Sequence, residues 1–260
     1  MTVTVLRGRT SDRSPYGARG SELLGTALGA ERGVRLVGEP GVPAVRGWEA
    51  DLRDARPVLE AAAAAVREEA PVLIAAQCTI ALATLPVIAE HEPDALVVWL
   101  DAHGDFNTPE TTGSGYLGGM PLAAACGLWD GGHGAGLDPH RVVMSDARDL
   151  DTDERALLDR AGVRRVAPGA VADAARGERV FLHLDLDILD PAVMAAAVPA
   201  PGGLALAELA ALLRDLGAAA EVIGVEITAF DDPAPERLAE GLAAAIGPVL
   251  PRLGSERAIE

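Results

Sequence analysis

Two short segments carry residues suited to holding a cation. In the run LDAHGDFN, Asp101, His103 and Asp105 alternate, and in HLDLDILDP so do Asp185 and Asp187. An extended chain points residues i and i+2 to one side, so each segment presents its polar groups together. Carboxylate and imidazole donors suit a borderline-hard divalent ion such as Mn²⁺ or Zn²⁺. A polar loop capping a helix would account for the first segment as well. In the second, two carboxylates at the end of an apolar strand are costly without a positive partner. No arginine lies close in sequence to supply it, whereas a pair of metal ions would. Asp190-Pro191 reads as a turn and helix break.

The elements that must position these residues follow from apolar patterning. Strands are expected at Thr2–Leu6, Arg35–Val37, Val72–Ala76, Ala95–Leu100, Arg141–Met144, Arg164–Val166, Val180–Leu186 and Val222–Ile227. Helices are expected at Gly20–Arg32, Asp51–Glu69, Ile80–His91, Asp153–Ala161, Ala205–Leu216 and Pro235–Leu250. Strands alternating with helices predict an α/β fold with a parallel sheet covered on both faces. The continuous apolar runs VLIAA, ALVVWL and VFLHLDL fit buried parallel strands. Both acidic segments then fall at carboxyl ends of strands, where open α/β sheets bind ligands. The longest irregular stretch, from about Asn107 to His140, is read as a functional loop.

The chain has 260 residues, a net charge of −17, 49% hydrophobic residues and only 3% aromatic residues. A core of Ala, Val, Leu and Ile is expected. The negative field disfavours nucleic acid and anionic membranes and suits a cationic substrate or metal, although an acidic surface needs no such purpose. Cys78 and Cys126 make no disulfide framework. There is no signal-like apolar segment at the N-terminus and no run of roughly 20 apolar residues, so a cytoplasmic protein is expected. His183, inside its strand, reads as a satisfied core histidine or as the hydrogen-bond partner of a metal ligand. Trp129 reads as packing.

DAHGDFNTPETT and the D-x-D-x-x-D-P segment resemble, in type, spacing and order, the metal motifs of the ureohydrolase family, which comprises arginases, agmatinases and their relatives. The resemblance runs from about Val72 to Pro233. It implies one domain across residues 1–260, an arginase-like three-layer α/β/α sandwich around an eight-stranded, mostly parallel sheet. It also implies one or two Mn²⁺ ions that activate water for attack on a guanidino carbon. Asp101 and Asp185 match the bridging ligands, His103 and Asp187 the second site, and Asp105 the first. Asn107 and Ser114 match positions that hold an α-carboxylate, and Asp151 the acid that binds an α-amino group. All three are also common turn and cap residues. An amino-acid substrate is therefore expected in preference to a plain amine such as agmatine.

The chain also departs from that family. Ala75-Ala76-Gln77-Cys78-Thr79 replaces G-G-D-H-S. Cys78 stands at a histidine ligand position, as a softer donor or an ordinary buried thiol. Gly118 stands where arginases carry a histidine assigned to proton shuttling. Tyr116 stands where asparagine is common, and its hydroxyl is expected to serve the reaction as a hydrogen-bond donor. In VEITAFDDP, Glu226 takes the first acidic position and is expected at the substrate. Ala229 falls where a glutamate would face the guanidinium, so Asp231 or Asp232 is the candidate substitute. The chain is shorter than typical arginases and lacks an obvious extension for their trimer contacts, which leaves monomer or homo-oligomer open.

These oddities resemble a divergent branch of the family that cleaves Nω-hydroxy-L-arginine to hydroxyurea and ornithine in antibiotic biosynthesis. N-hydroxylation makes a guanidine less basic and less dependent on a carboxylate partner. The expected function is Mn²⁺-dependent hydrolysis of the guanidino or N-hydroxyguanidino group of an amino acid, with arginine yielding urea and ornithine. The alternative is a degenerate member that binds a ligand or partner without hydrolysis.

Overall fold

The computed structural model describes residues 2–41, 44, 46–68 and 71–251. In chain order the elements are β1 (Val3–Leu6), α1 (Gly17–Leu28), β2 (Val34–Val37), α2 (Trp48–Val66), β3 (Val72–Ala75), α3 (Ala81–His91), β4 (Leu96–Asp101) and α4 (Pro121–Ala125). They continue as β5 (Val142–Asp146), α5 (Thr152–Ala161), β6 (Arg164–Val166), α6 (Val171–Ala174), β7 (Arg179–Asp185), α7 (Leu206–Ala219), β8 (Glu221–Thr228) and α8 (Ala239–Ile246). The strands form one sheet in the order β2-β1-β3-β8-β7-β4-β5-β6. Every pairing is parallel, so the expected mostly parallel sheet is parallel throughout.

The central strands β3 and β4 are buried along their whole length, as their unbroken apolar runs require. The edge strands β2 and β6 are short and exposed and carry Arg35, Arg164 and Arg165, charges that discourage edge-to-edge pairing. Val98, Leu182 and Ile227 pack with Leu24 of α1, Leu213 of α7 and Leu242 of α8. On the opposite face Val97, Trp99 and Phe181 pack with Leu85 of α3, Leu122 of α4 and Leu158 of α5. Two helical layers thus enclose the sheet, which is the expected three-layer sandwich.

This alternation decides where the polar residues go. Asp101 is two residues beyond Trp99, and Asp185 is four beyond Phe181, so both face the side covered by α2–α5. Between β3 and β4 the chain skips two sheet positions, which β8 and β7 fill. The carboxyl ends of β3, β8, β7 and β4 therefore lie side by side at the crevice where the strand order changes.

All eight expected strands and six expected helices are present, with shifted ends. The helix expected at Asp51–Glu69 begins earlier and ends at Val66; Glu69 itself lies outside the described residues, as do Met1 and 252–260 at the ends of the expected domain. The helix expected over Pro235–Leu250 is regular only through Ala239–Ile246, between 3-10 turns that start near Pro235 and Pro248. Proline withholds the amide that an α-helix interior needs. The stretch expected to be irregular contains α4, with proline in its first turn. Among the described residues no helix is long and apolar enough to cross a membrane.

Candidate metal centre and substrate cleft

The four central strand ends deliver a compact set of donors. Cys78 follows β3 in a 3-10 turn, and its Sγ lies 2.7 Å from Asp185 Oδ2, 3.1 Å from Thr228 Oγ1 and 3.9 Å from Asp101 Oδ2. On the other side, His103 Nδ1 lies 3.0 Å from Asp187 Oδ2 and 3.4 Å from Asp101 Oδ1. Ligand-type atoms of Asp101, His103 and Asp187 all fall within 4.8 Å of one another. A second such group comprises Cys78, Asp101, His183 and Asp185. Asp101 belongs to both, as a bridging ligand must. Asp105 lines the same cleft but stands outside both groups.

Local hydrogen bonds hold these side chains in place. Asp101 accepts from the His103 amide at 2.7 Å and from Trp99 Nε1 at 3.2 Å. Asp185 accepts from the Asp187 amide at 2.7 Å and from Thr228 Oγ1 at 3.1 Å. Asp187 accepts from the Ala102 amide at 3.2 Å.

Electrostatically the site is short of positive charge. Burial, then Asp187, pushes the Asp185 carboxyl up to about 7. Burial and Asp101 raise Asp105, and burial with Asp185 raises the Cys78 thiol well above its ordinary value. Burial alone would lower His103, but hydrogen bonds to Asp101 and Asp187 outweigh it and carry the imidazole up to about 12. Four buried polar atoms here, Asp105 Oδ2, His103 Nε2, His183 Nε2 and Asp231 Oδ1, have no hydrogen-bond partner. Such groups are costly unless something binds them, and the oxygen, nitrogen and sulfur donors here fit a divalent cation.

An open cleft of about 230 Å³ leads to these donors. Asn107, Ser114, Asp151 and Tyr116 all line it. Asn107 Oδ1 accepts from Thr111 Oγ1 at 2.9 Å, which directs its amide. Ser114 and Asp151 are exposed on the rim. Tyr116 donates to Gln77 Oε1, and the Arg13 guanidinium stacks 3.8 Å above its ring.

Glu226 corrects the sequence reading. It is fully buried and does not line the cleft. Its carboxylate instead takes Thr84 Oγ1 at 2.6 Å and His183 Nδ1 at 2.7 Å. Two residues before the strand end, it faces the correct side but lies one pleat below the site. Of Asp231 and Asp232, only Asp231 reaches the cleft. Asp232 is occupied by Arg237 and by the amides of Ala195 and Ala234. Asp231 lines the cleft with Ala229, and its Oδ1 has no partner. Trp129 packs edge-on to Trp48 at 5.8 Å and does not line the cleft.

Polar lining residues to which the sequence reading gives no role include Glu154, Gln77, Arg13 and Asp149. Glu154 follows Asp151 by three positions, which places both on one helix face, and its Oε1 accepts from the Phe106 amide at 2.9 Å. That spacing was a usable signal. Gln77 was noted only as part of a departing motif. Arg13 sits in the β1–α1 connection and reaches the cleft through the fold alone.

A parallel α/β/α sandwich with paired acidic and histidine donors at its switch point defines the arginase class of metal-dependent hydrolases. The Arginase family profile matches residues 50–245, and the chain belongs to that family. It is accordingly a hydrolase of C–N bonds in linear amidines. It is 42% identical to the N(omega)-hydroxy-L-arginine amidinohydrolase of Streptomyces lavendulae, over 94% of this chain and 93% of that protein. It is 35% identical to an arginase of Bacillus caldovelox, over 66% of this chain and 67% of that protein. The Bacillus subtilis arginase structure superposes with a TM-score of 0.79 at 23% identity, covering 97% of this chain and 98% of that one, which supports the fold.

Proposed function

We propose that this chain hydrolyses the hydroxyguanidino group of Nω-hydroxy-L-arginine, giving hydroxyurea and ornithine, with Mn²⁺ as the metal. The observation that carries this reading is one cleft that keeps an amino-acid rim, has alanine at the guanidinium glutamate's position, and offers beside it only Asp231, whose carboxyl burial raises to about 7. Asn107, Ser114 and Asp151 line the rim, and Ala229 stands deep in the cleft where a glutamate would serve arginine. A full guanidinium without its carboxylate forgoes a charge-assisted bidentate pair. A less basic hydroxyguanidine loses less.

Asp101, His103, Asp105, Asp185, Asp187 and Cys78 would hold the metal ions. Bound divalent cations supply Lewis acidity and lower the pKa of water toward neutrality. The protein supplies the rest. Asn107 and Ser114 offer hydrogen bonds to an α-carboxylate, and Asp151 offers charge to an α-amino group. Tyr116, fixed by Gln77 and Arg13, presents a hydroxyl inside the cleft and takes the place of the histidine absent at Gly118. With burial first and Cys78 next among its causes, the Tyr116 phenol is held well above its ordinary value. It therefore does not act as a base, and it donates to the substrate by exchanging its one hydrogen bond away from Gln77 Oε1. A reducing, cytoplasmic setting suits a thiol in the site.

Steady-state kinetics with Nω-hydroxy-L-arginine, L-arginine and agmatine test the proposal. The hydroxylated amino acid is expected to have the highest kcat/KM, by tenfold or more over arginine, on the order of one lost ion-pair contact. Equal or better turnover of agmatine would overturn it.

A further inference from the structure

His183 is not the satisfied core histidine its strand position suggests. It sits on β7 one pleat below Asp185, between Trp99 of β4 and Glu226 of β8. It is fully buried. The imidazole stacks on the Trp99 indole, with centroids 3.5 Å apart and planes 3° from parallel. Its Nδ1 lies 2.7 Å from Glu226 Oε1, and Thr84 Oγ1 holds the other carboxylate oxygen at 2.6 Å. A carboxylate offers only lone pairs, so the Nδ1 side carries the shared proton. Nε2 is buried with no hydrogen-bond partner in the protein.

The surroundings of that nitrogen are informative. A ring nitrogen of His183, Cys78 Sγ and carboxylate oxygens of Asp101 and Asp185 lie within 4.8 Å of one another. None of these hydrogen-bonds Nε2. Cys78 donates to Asp185, but nothing in the protein serves His183 Nε2, and a buried polar nitrogen left so is costly unless something binds it. A histidine whose other nitrogen is fixed by a carboxylate is the usual arrangement of a metal-bound imidazole.

We propose that His183 Nε2 is a direct donor to the first metal ion, alongside Cys78, Asp101 and Asp185. This rests on the metal-hydrolase reading given above and goes beyond it. Position 183 lies outside both metal motifs, yet it returns to the first site a nitrogen donor that Cys78 in place of histidine takes away. Glu226 and Thr84 are then positioning residues, which set the imidazole's tautomer and angle.

The chain has five histidines, and His103 is the other one at the centre. His103→Asn protein, labelled with ¹⁵N-histidine and loaded with Mn²⁺, isolates the first site for pulsed EPR. A single imidazole ¹⁵N coupled to the ion is expected, and its absence would overturn the proposal. In a parallel titration, His183→Gln is expected to weaken the tighter Mn²⁺ by tenfold or more; unchanged affinity would count equally against it. Should His183→Gln fail to fold, the EPR measurement still decides, because it leaves residue 183 intact. If wild-type protein binds no Mn²⁺, this inference and the proposed function fall together. If it binds Mn²⁺ and turns over substrate without histidine coupling in the His103→Asn form, only this inference falls.

Discussion

A Cβ added at Gly118 would lie 2.5 Å from Cζ of Tyr116. The two departures at positions 116 and 118 are therefore one change: the tyrosine ring fills the space that a side chain at 118 would need. Gly118→His alone is expected to overpack the cleft wall, at a cost of about 1–3 kcal/mol. The double variant Tyr116→Asn with Gly118→His should recover most of that loss. Denaturant unfolding of the single and double variants checks this, and additive costs would contradict it.

Cys78 is only 5% exposed, yet its Sγ reaches Asp185 Oδ2 among the candidate metal donors. Cys78→Ser is expected to weaken Mn²⁺ binding, and Cys78→His to strengthen it by roughly tenfold, because imidazole suits Mn²⁺ better than a soft thiol. Isothermal titration with Mn²⁺ reads both. Affinities independent of residue 78 would place the thiol outside the site.

Glu226 is structural and orienting. Glu226→Ala would leave Thr84 and His183 buried without partners, at a cost of about 3–5 kcal/mol. Glu226→Gln keeps an acceptor and should cost less. Chemical denaturation of chelator-treated protein measures this, while a rise in KM with unchanged stability would restore the substrate-binding role.

Glu154 gives the metal-free protein a pH signature. Burial raises its carboxyl from 4.5 to about 7, against hydrogen bonds from the Phe106 and Asp151 amides. The folded state then binds more protons than the unfolded state between those values, so stability falls as pH rises through 4.5 to 7 and levels off above. The shift corresponds to about 3 kcal/mol. Glu154→Gln should remove that share of the slope. Melting curves in chelator across this range, wild type against variant, check it; parallel curves would contradict it.

Much of this was legible in the sequence because it is local. Asp101, His103, Asp185 and Asp187 alternate at the ends of apolar runs, and strand geometry alone brings each pair to one face. The sheet order brings the two pairs together, and the motif spacing anticipated that. Glu226 was misplaced because a strand residue's depth depends on where the sheet ends, which sequence fixes only to within a residue or two. His183 shares its face with Asp185, so its orientation was readable. Its free nitrogen was not, because Glu226, Trp99 and Thr84 come from three other elements. Arg13 reached the cleft with no local cue.

The most direct test is the number of Mn²⁺ ions bound per chain at equilibrium, by elemental analysis after dialysis, for wild type and for Asp101→Asn with Asp185→Asn. Roughly one or two ions in the wild type and almost none in the double variant are expected. A wild-type chain that binds none, or a double variant that binds as many, would contradict a metal centre built on these aspartates.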